Sequence, residues 1–133
     1  MSRHAGPPRA ADAPSIPEPT FAERARTLAY LGLTGALATL SRRHPGHPFA
    51  SVMPYALTAD GSPLFLISGM ALHTQNVIAD ARASLLVMQS GSGADPLGSP
   101  RATLLGSARR IAEPDESLRE LYLQRHPSAG SRT

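Results

Sequence analysis

The side chains best suited to chemistry gather in two short stretches. Leu72-His73-Thr74-Gln75-Asn76 stands where an amphipathic turn through Val77 and Ile78 begins. The first amides of a helix lack intrahelical partners and point outward, so a helix start attracts anions. An imidazole, a hydroxyl and a carboxamide from His73, Thr74 and Asn76 at such a start suit a phosphate or a carboxylate. The same residues have a plainer reading, with Thr74 capping the helix and His73 on the surface, and spacing alone favours the plainer one. The second stretch is Arg42-Arg43-His44-Pro45-Gly46-His47-Pro48. His44 and His47 are of metal-ligand type. They straddle a Pro-Gly turn with no third ligand nearby in sequence, so a solvated turn is expected and no metal site.

Composition removes several chemistries. The 133 residues include no cysteine and no lysine, so all thirteen cations are arginine. Disulfides, thiolate nucleophiles and cysteine metal sites are excluded, as are Schiff-base and P-loop lysines. The net charge is only +3, and tryptophan is absent. With neither a basic helix nor an aromatic cluster, nucleic-acid binding is not expected. No apolar run reaches the length of a membrane span. Residues 1–19 are rich in Pro and Ala, lack the apolar core of a signal peptide, and read as a disordered leader. A cytoplasmic location is the default. The length suits one domain, small enough to gain from a partner subunit.

The elements that must position these residues follow from pattern. Thr20-Phe21-Ala22-Glu23 has the spacing of a capping box, and Phe21, Ala25, Leu28 and Ala29 share the face of a helix that Gly32 stops. Gly35–Ser41 reads as a short strand. Pro48–Leu57 alternates large and small side chains, with Pro54 marking an edge or a bulge. After the turn Thr58–Ser62, the apolar run within Pro63–Ser68 reads as a strand buried on both faces. Ala83–Gln89 is the next strand and Ser90–Ser99 a flexible loop. Arg101–Ile111 reads as a long strand broken by Gly106, which suggests a bend or bulge at a barrel corner. Pro114–Arg125 is a helix with its acids early, its Arg late, and a stripe of Leu118, Leu121 and Tyr122. The class is α+β, mostly antiparallel and Greek-key-like, and it suits a small barrel with flanking helices.

The segments Gly35–Ser41, Pro48–Leu57, Asp60–Ser68, His73–Asn76, Ala81–Val87, Asp95-Pro96-Leu97 and Arg101–Gly106, in this order and spacing, resemble the pyridoxamine 5′-phosphate oxidase-like FMN-binding split barrels. The likeness is strongest to their HugZ-type haem-utilisation branch. It spans residues 20–127 and leaves 128–133 as a tail. It implies a split β-barrel, a homodimer, and a ligand site at the dimer interface. It also implies that FMN contacts Ser51, Val52 and Met53 on the second strand and Ile67 and Ser68 at the end of the third. His73, Thr74 and Asn76 would lie near the phosphate, with Gln89 from the following strand. The oxidases place an arginine where Ser51 stands and an Arg-Lys pair where Leu72-His73 stand, so oxidation of pyridoxamine phosphate is not expected. Relative to the family the last barrel strand is missing after residue 127. Three functions remain open: a flavin-dependent oxidoreductase, a haem-binding or haem-degrading protein, and a non-catalytic dimeric adaptor.

Overall fold

The computed structural model describes residues 15–89, 95–111 and 115–132. Helix α1, Phe21–Leu31, starts with the capping box its sequence encodes. The Thr20 hydroxyl accepts the Glu23 amide at 3.1 Å, and the Glu23 carboxylate accepts the Thr20 amide at 3.3 Å. Strands β1 (Thr34–Leu40), β2 (Pro48–Pro54), β5 (Arg82–Met88) and β6 (Arg101–Ser107) form one antiparallel sheet in the order β2-β1-β5-β6. Strands β3 (Ala56–Leu57) and β4 (Pro63–Leu64) form a separate ribbon. Helices α2 (Leu72–Ala79) and α3 (Glu116–Arg125) complete an α+β fold of the split-barrel type. Among the described residues, no helix is long and apolar enough to cross a membrane.

The two-residue period of a strand divides the sheet into two faces. The register aligns Ser51, Leu37, Leu85 and Leu104 in one row of the inner face. There Leu37, Met53, Leu85 and Val87 join Ala29 of α1 and Tyr55 in the buried core. Burying each large apolar side chain stabilises the fold by about 1.5–3 kcal/mol. On the outer face, Val52, Ala36, Leu86 and Thr103 make one row, and Ala50, Ala38, Ser84 and Leu105 the next. Val52 is 76% exposed and Leu105 84%.

Four expectations need correction. Pro48–Leu57 is not one strand. Pro54 has no amide to continue a ladder, and the chain turns inward at the fully buried Tyr55. Its amide donates to Leu33 O at 3.1 Å and its hydroxyl to Ala29 O at 2.6 Å. Ala56–Leu57 then pair in the other sheet. The run to Ser68 is not a doubly buried strand either: only Pro63–Leu64 are paired, and Leu66 is exposed. Gly106 causes no bulge, because it pairs with Ala83 in an unbroken register, and β6 stops at Ser107. Finally, Asp115 rather than Pro114 opens α3, its carboxylate accepting the Leu118 amide at 3.2 Å. Pro114 and residues 90–94 of the expected loop lie outside the described residues, as do 1–14 of the expected leader. The expected tail holds the 3₁₀ helix Pro127–Arg132.

The end of α3 is tied to the start of the sheet. The Arg125 guanidinium donates to Tyr30 O at 2.8 Å and Gly32 O at 3.3 Å, taking up carbonyls that the end of α1 leaves unpaired. His126 Nε2 lies 2.7 Å from Tyr55 O. A carbonyl only accepts, so this nitrogen carries the proton.

Candidate functional site

Asn76 is the fixed point of the region that sequence singles out. It is 3% exposed and sits on the face of α2 turned to β1. Its Nδ2 donates to Thr39 Oγ1 at 3.0 Å, and its Oδ1 accepts the Arg42 amide at 2.9 Å. Thr39, 2% exposed, donates in turn to Phe49 O at 3.4 Å. The carboxamide therefore clasps α2 to the end of β1 and to the β1–β2 turn, and both its polar atoms are engaged. Thr74 is likewise committed: its hydroxyl donates to Ser68 O at 2.6 Å, tying down the loop before the helix. It does not cap α2. The N-cap is Ala71, which offers no side-chain bond. The amides of Leu72 and His73 thus keep the outward direction of a helix start.

His73, in that first turn, is half-buried, and burial holds its imidazole below the usual histidine range. At neutral pH it is a neutral polar group. Ser68 is exposed, its hydroxyl accepting the Met70 amide at 3.2 Å, while Ile67 packs beside the core. Ser51 and Met53 face inward and Val52 faces outward, so the three side chains do not converge on one ligand. The Ser51 hydroxyl is buried with no hydrogen-bond partner. Gln89, whose amide donates to Pro100 O at 3.0 Å, lies beyond Met88 at the Thr34 end of β1. Asn76 holds the other end, roughly 20 Å away at the rise of a strand. Within one chain, therefore, Gln89 and the α2 residues belong to different places.

The residues present do not match the charge of a flavin phosphate. The first turn of α2 supplies amides and a neutral imidazole but no permanent cation, and charge-assisted contacts are the strong ones for a phosphate. The outer sheet face offers the opposite chemistry. Small Ala36, Ala38 and Ala50 form its floor between Val52, Leu86 and Leu105, with Met88 and Arg101 paired at one end. Exposed apolar surface of this kind is what ligands and partners cover, which makes this face a candidate site. Alternation along Pro48–Pro54 and Arg101–Ser107 carried a signal for it; what sequence lacked was the register that brings these strands to one face.

Known proteins resemble this chain over most of its length. The profile of the CREG β-barrel family matches residues 17–131. A chloroplastic heme oxygenase of Arabidopsis thaliana, HOZ, is 35% identical over 108 residues, covering 80% of this chain and 33% of the relative. A heme binding protein from Mycobacterium smegmatis superposes with a TM-score of 0.78 at 38% identity, over 87% of this chain and 47% of that one. The HutZ protein of Vibrio cholerae, described as a heme storage protein, shares the fold at a TM-score of 0.61 and 19% identity, over 77% of this chain and 71% of that one. The chain thus spans about a third of the curated relative and about half of the mycobacterial protein. With nearly all its described length inside the family profile, the chain belongs to the CREG β-barrel family.

Proposed function

We propose that this chain is the haem-binding split-barrel part of a haem-handling protein, close to the HugZ-type branch, and that it acts as a homodimer. The observation that carries the reading is the uncovered apolar sheet face, with Val52 and Leu105 among its most exposed residues. A flat apolar macrocycle buries its faces well against such a surface, and a second copy would cover the rest. Val52, Leu86 and Leu105 would make the apolar contacts, and Arg101 at the rim offers a guanidinium to an acidic substituent. Bound haem supplies redox-active iron; the chain's own part is to shield the ring from water and orient it. The names of the Arabidopsis and mycobacterial relatives support haem as the ligand.

One observation favours FMN as a second reading. The partnerless Ser51 hydroxyl and the uncapped start of α2 are polar groups awaiting a ligand. Separate absorption titrations with haem and with FMN distinguish the readings. A saturable Soret band, with no saturable flavin change, is the expected result. Saturable flavin bands with quenched fluorescence and no Soret band would replace haem by FMN. A folded dimer that takes up neither would leave an adaptor and overturn the proposal.

A further inference from the structure

The β1–β2 turn contains a feature that the haem reading does not use. His47 N donates to His44 O at 3.1 Å, closing a four-residue turn, and Ser41 N donates to His47 O at 2.9 Å beneath it. Pro45 and Gly46 are the two central residues, and Gly46 has φ of +88°. This is the type II arrangement, with proline at the first central position and a positive-φ glycine at the second. Such a turn brings its first and last Cα atoms within about 7 Å. Two histidines are therefore carried at the first and last positions of a frame whose geometry proline and the two backbone bonds hold in advance. Both histidines, together with Ser41, Pro48 and Phe49, line one open cavity of about 270 Å³. The Ser41 hydroxyl, fixed by accepting the His44 amide at 3.0 Å, is the third polar group there.

We propose that His44 and His47 form a two-imidazole site for a divalent transition-metal ion of the zinc class. Neutral imidazole nitrogens at about 2.0–2.1 Å are natural zinc ligands. No third His, Cys, Asp or Glu joins them among the described residues, so water completes the coordination and the ion exchanges freely. Arg42 and Arg43 adjoin the turn and oppose a cation. Asp80, which follows the last residue of α2, is already held by Arg82 at 2.8 Å. The site therefore selects ions by nitrogen affinity rather than by charge, taking zinc over magnesium or calcium. The spacing that argues against a helical metal pair is, in a type II turn, that of the first and last residues, whose backbones the turn draws together.

The test is calorimetric titration of the tag-free chain with Zn²⁺ at about pH 7.5, with long-range ¹H–¹⁵N spectra of the imidazoles. Both rings lie on the exposed turn, so His44→Ala and His47→Ala leave the core intact, which circular dichroism checks. Each substitution should weaken Zn²⁺ binding by about tenfold or more, and the ring nitrogens of His44 and His47 should shift together. Equal affinity in the double variant, or shifts confined to His4, His73 or His126, would overturn the site. Mg²⁺ displacing Zn²⁺ at equal concentration would overturn its selectivity. Haem uptake in the double variant should match the parent chain, so this outcome and that of the haem titration are separate.

Discussion

Replacing Asn76 by alanine tests whether the polar residue most suggestive of a ligand contact is in fact a structural clasp. The side chain makes two hydrogen bonds, to Thr39 Oγ1 and from the Arg42 amide. They are not equal in consequence. Arg42 is exposed, so water replaces the carboxamide at its amide for little cost. Thr39 is 2% exposed and loses a donor that water cannot replace. Its hydroxyl still donates to Phe49 O at 3.4 Å, but the buried oxygen loses the donor it accepts from, at about 1–3 kcal/mol. With a small share for the exposed bond and for the space left under α2, the loss comes to about 2–3 kcal/mol. That is a large part of a domain stability of about 5–15 kcal/mol. Urea unfolding should show a midpoint lowered by about 1 M at an unchanged slope. Thr39→Val makes the same cut from the other side, and the double variant should cost less than the sum by about 1 kcal/mol. A midpoint for Asn76→Ala within error of the parent, or strict additivity with Thr39→Val, would refute the clasp.

Three other substitutions follow from close approaches and charge. A Cβ on Gly32 would lie 2.5 Å from the Tyr55 hydroxyl oxygen, so Gly32→Ala should destabilise by about 1–3 kcal/mol and be partly rescued by Tyr55→Phe; thermal melts that show no rescue contradict the clash. A Cβ on Gly35 would meet Leu85 Cδ1 at 2.7 Å and the Leu86 carbonyl at 2.9 Å, and backbone cannot yield, so Gly35→Ala should lower the melting temperature more than Gly106→Ala, whose Cβ meets nothing within 4 Å; the reverse order would contradict the register. Hydrogen bonds from the Arg82 side chain, then from its amide, hold the Asp80 carboxyl at about 2, below its unfolded value. A depressed carboxyl stabilises the fold above the unfolded pKa of about 3.9 and loses that contribution as pH falls toward 2. Asp80→Asn should therefore flatten the acid limb of a stability–pH profile, and an unchanged limb would count against the pairing.

Local rules read well where one short stretch decides the outcome. The capping box at Thr20 and Glu23, the Pro-Gly turn and the stripe on α3 all depend on neighbours within four residues, and the structure holds each of them. The break at Tyr55 was legible only in part. Pro54 signalled an interruption, but the buried pocket under Ala29 that draws Tyr55 inward is a tertiary fact. The apolar run Leu64–Ile67 misled because hydrophobicity does not say whether a segment is paired. At the candidate site, residue type was the weaker guide. Asn76 and Thr74 have the side chains of an anion cradle, yet the register places a buried threonine and a backbone carbonyl within their reach first. His44 and His47 are the converse case, since the type II turn, which spacing alone does not reveal, brings the two residues' backbones within about 7 Å. The apolar outer face was written in the alternation of β2 and β6, but only the antiparallel register made it one surface.

The most direct test of the account is sedimentation velocity followed at the Soret wavelength, for the haem-loaded chain and for Val52→Arg and Leu105→Asp. In the parent chain the haem absorbance should sediment as a dimer. In the two variants, whose changed side chains lie on the outer face away from the core, both the dimer and the co-sedimenting Soret signal should be lost while far-ultraviolet dichroism is kept. Haem that sediments with a monomer, or that stays bound in both variants, would contradict the outer sheet face as the place where ligand and partner meet.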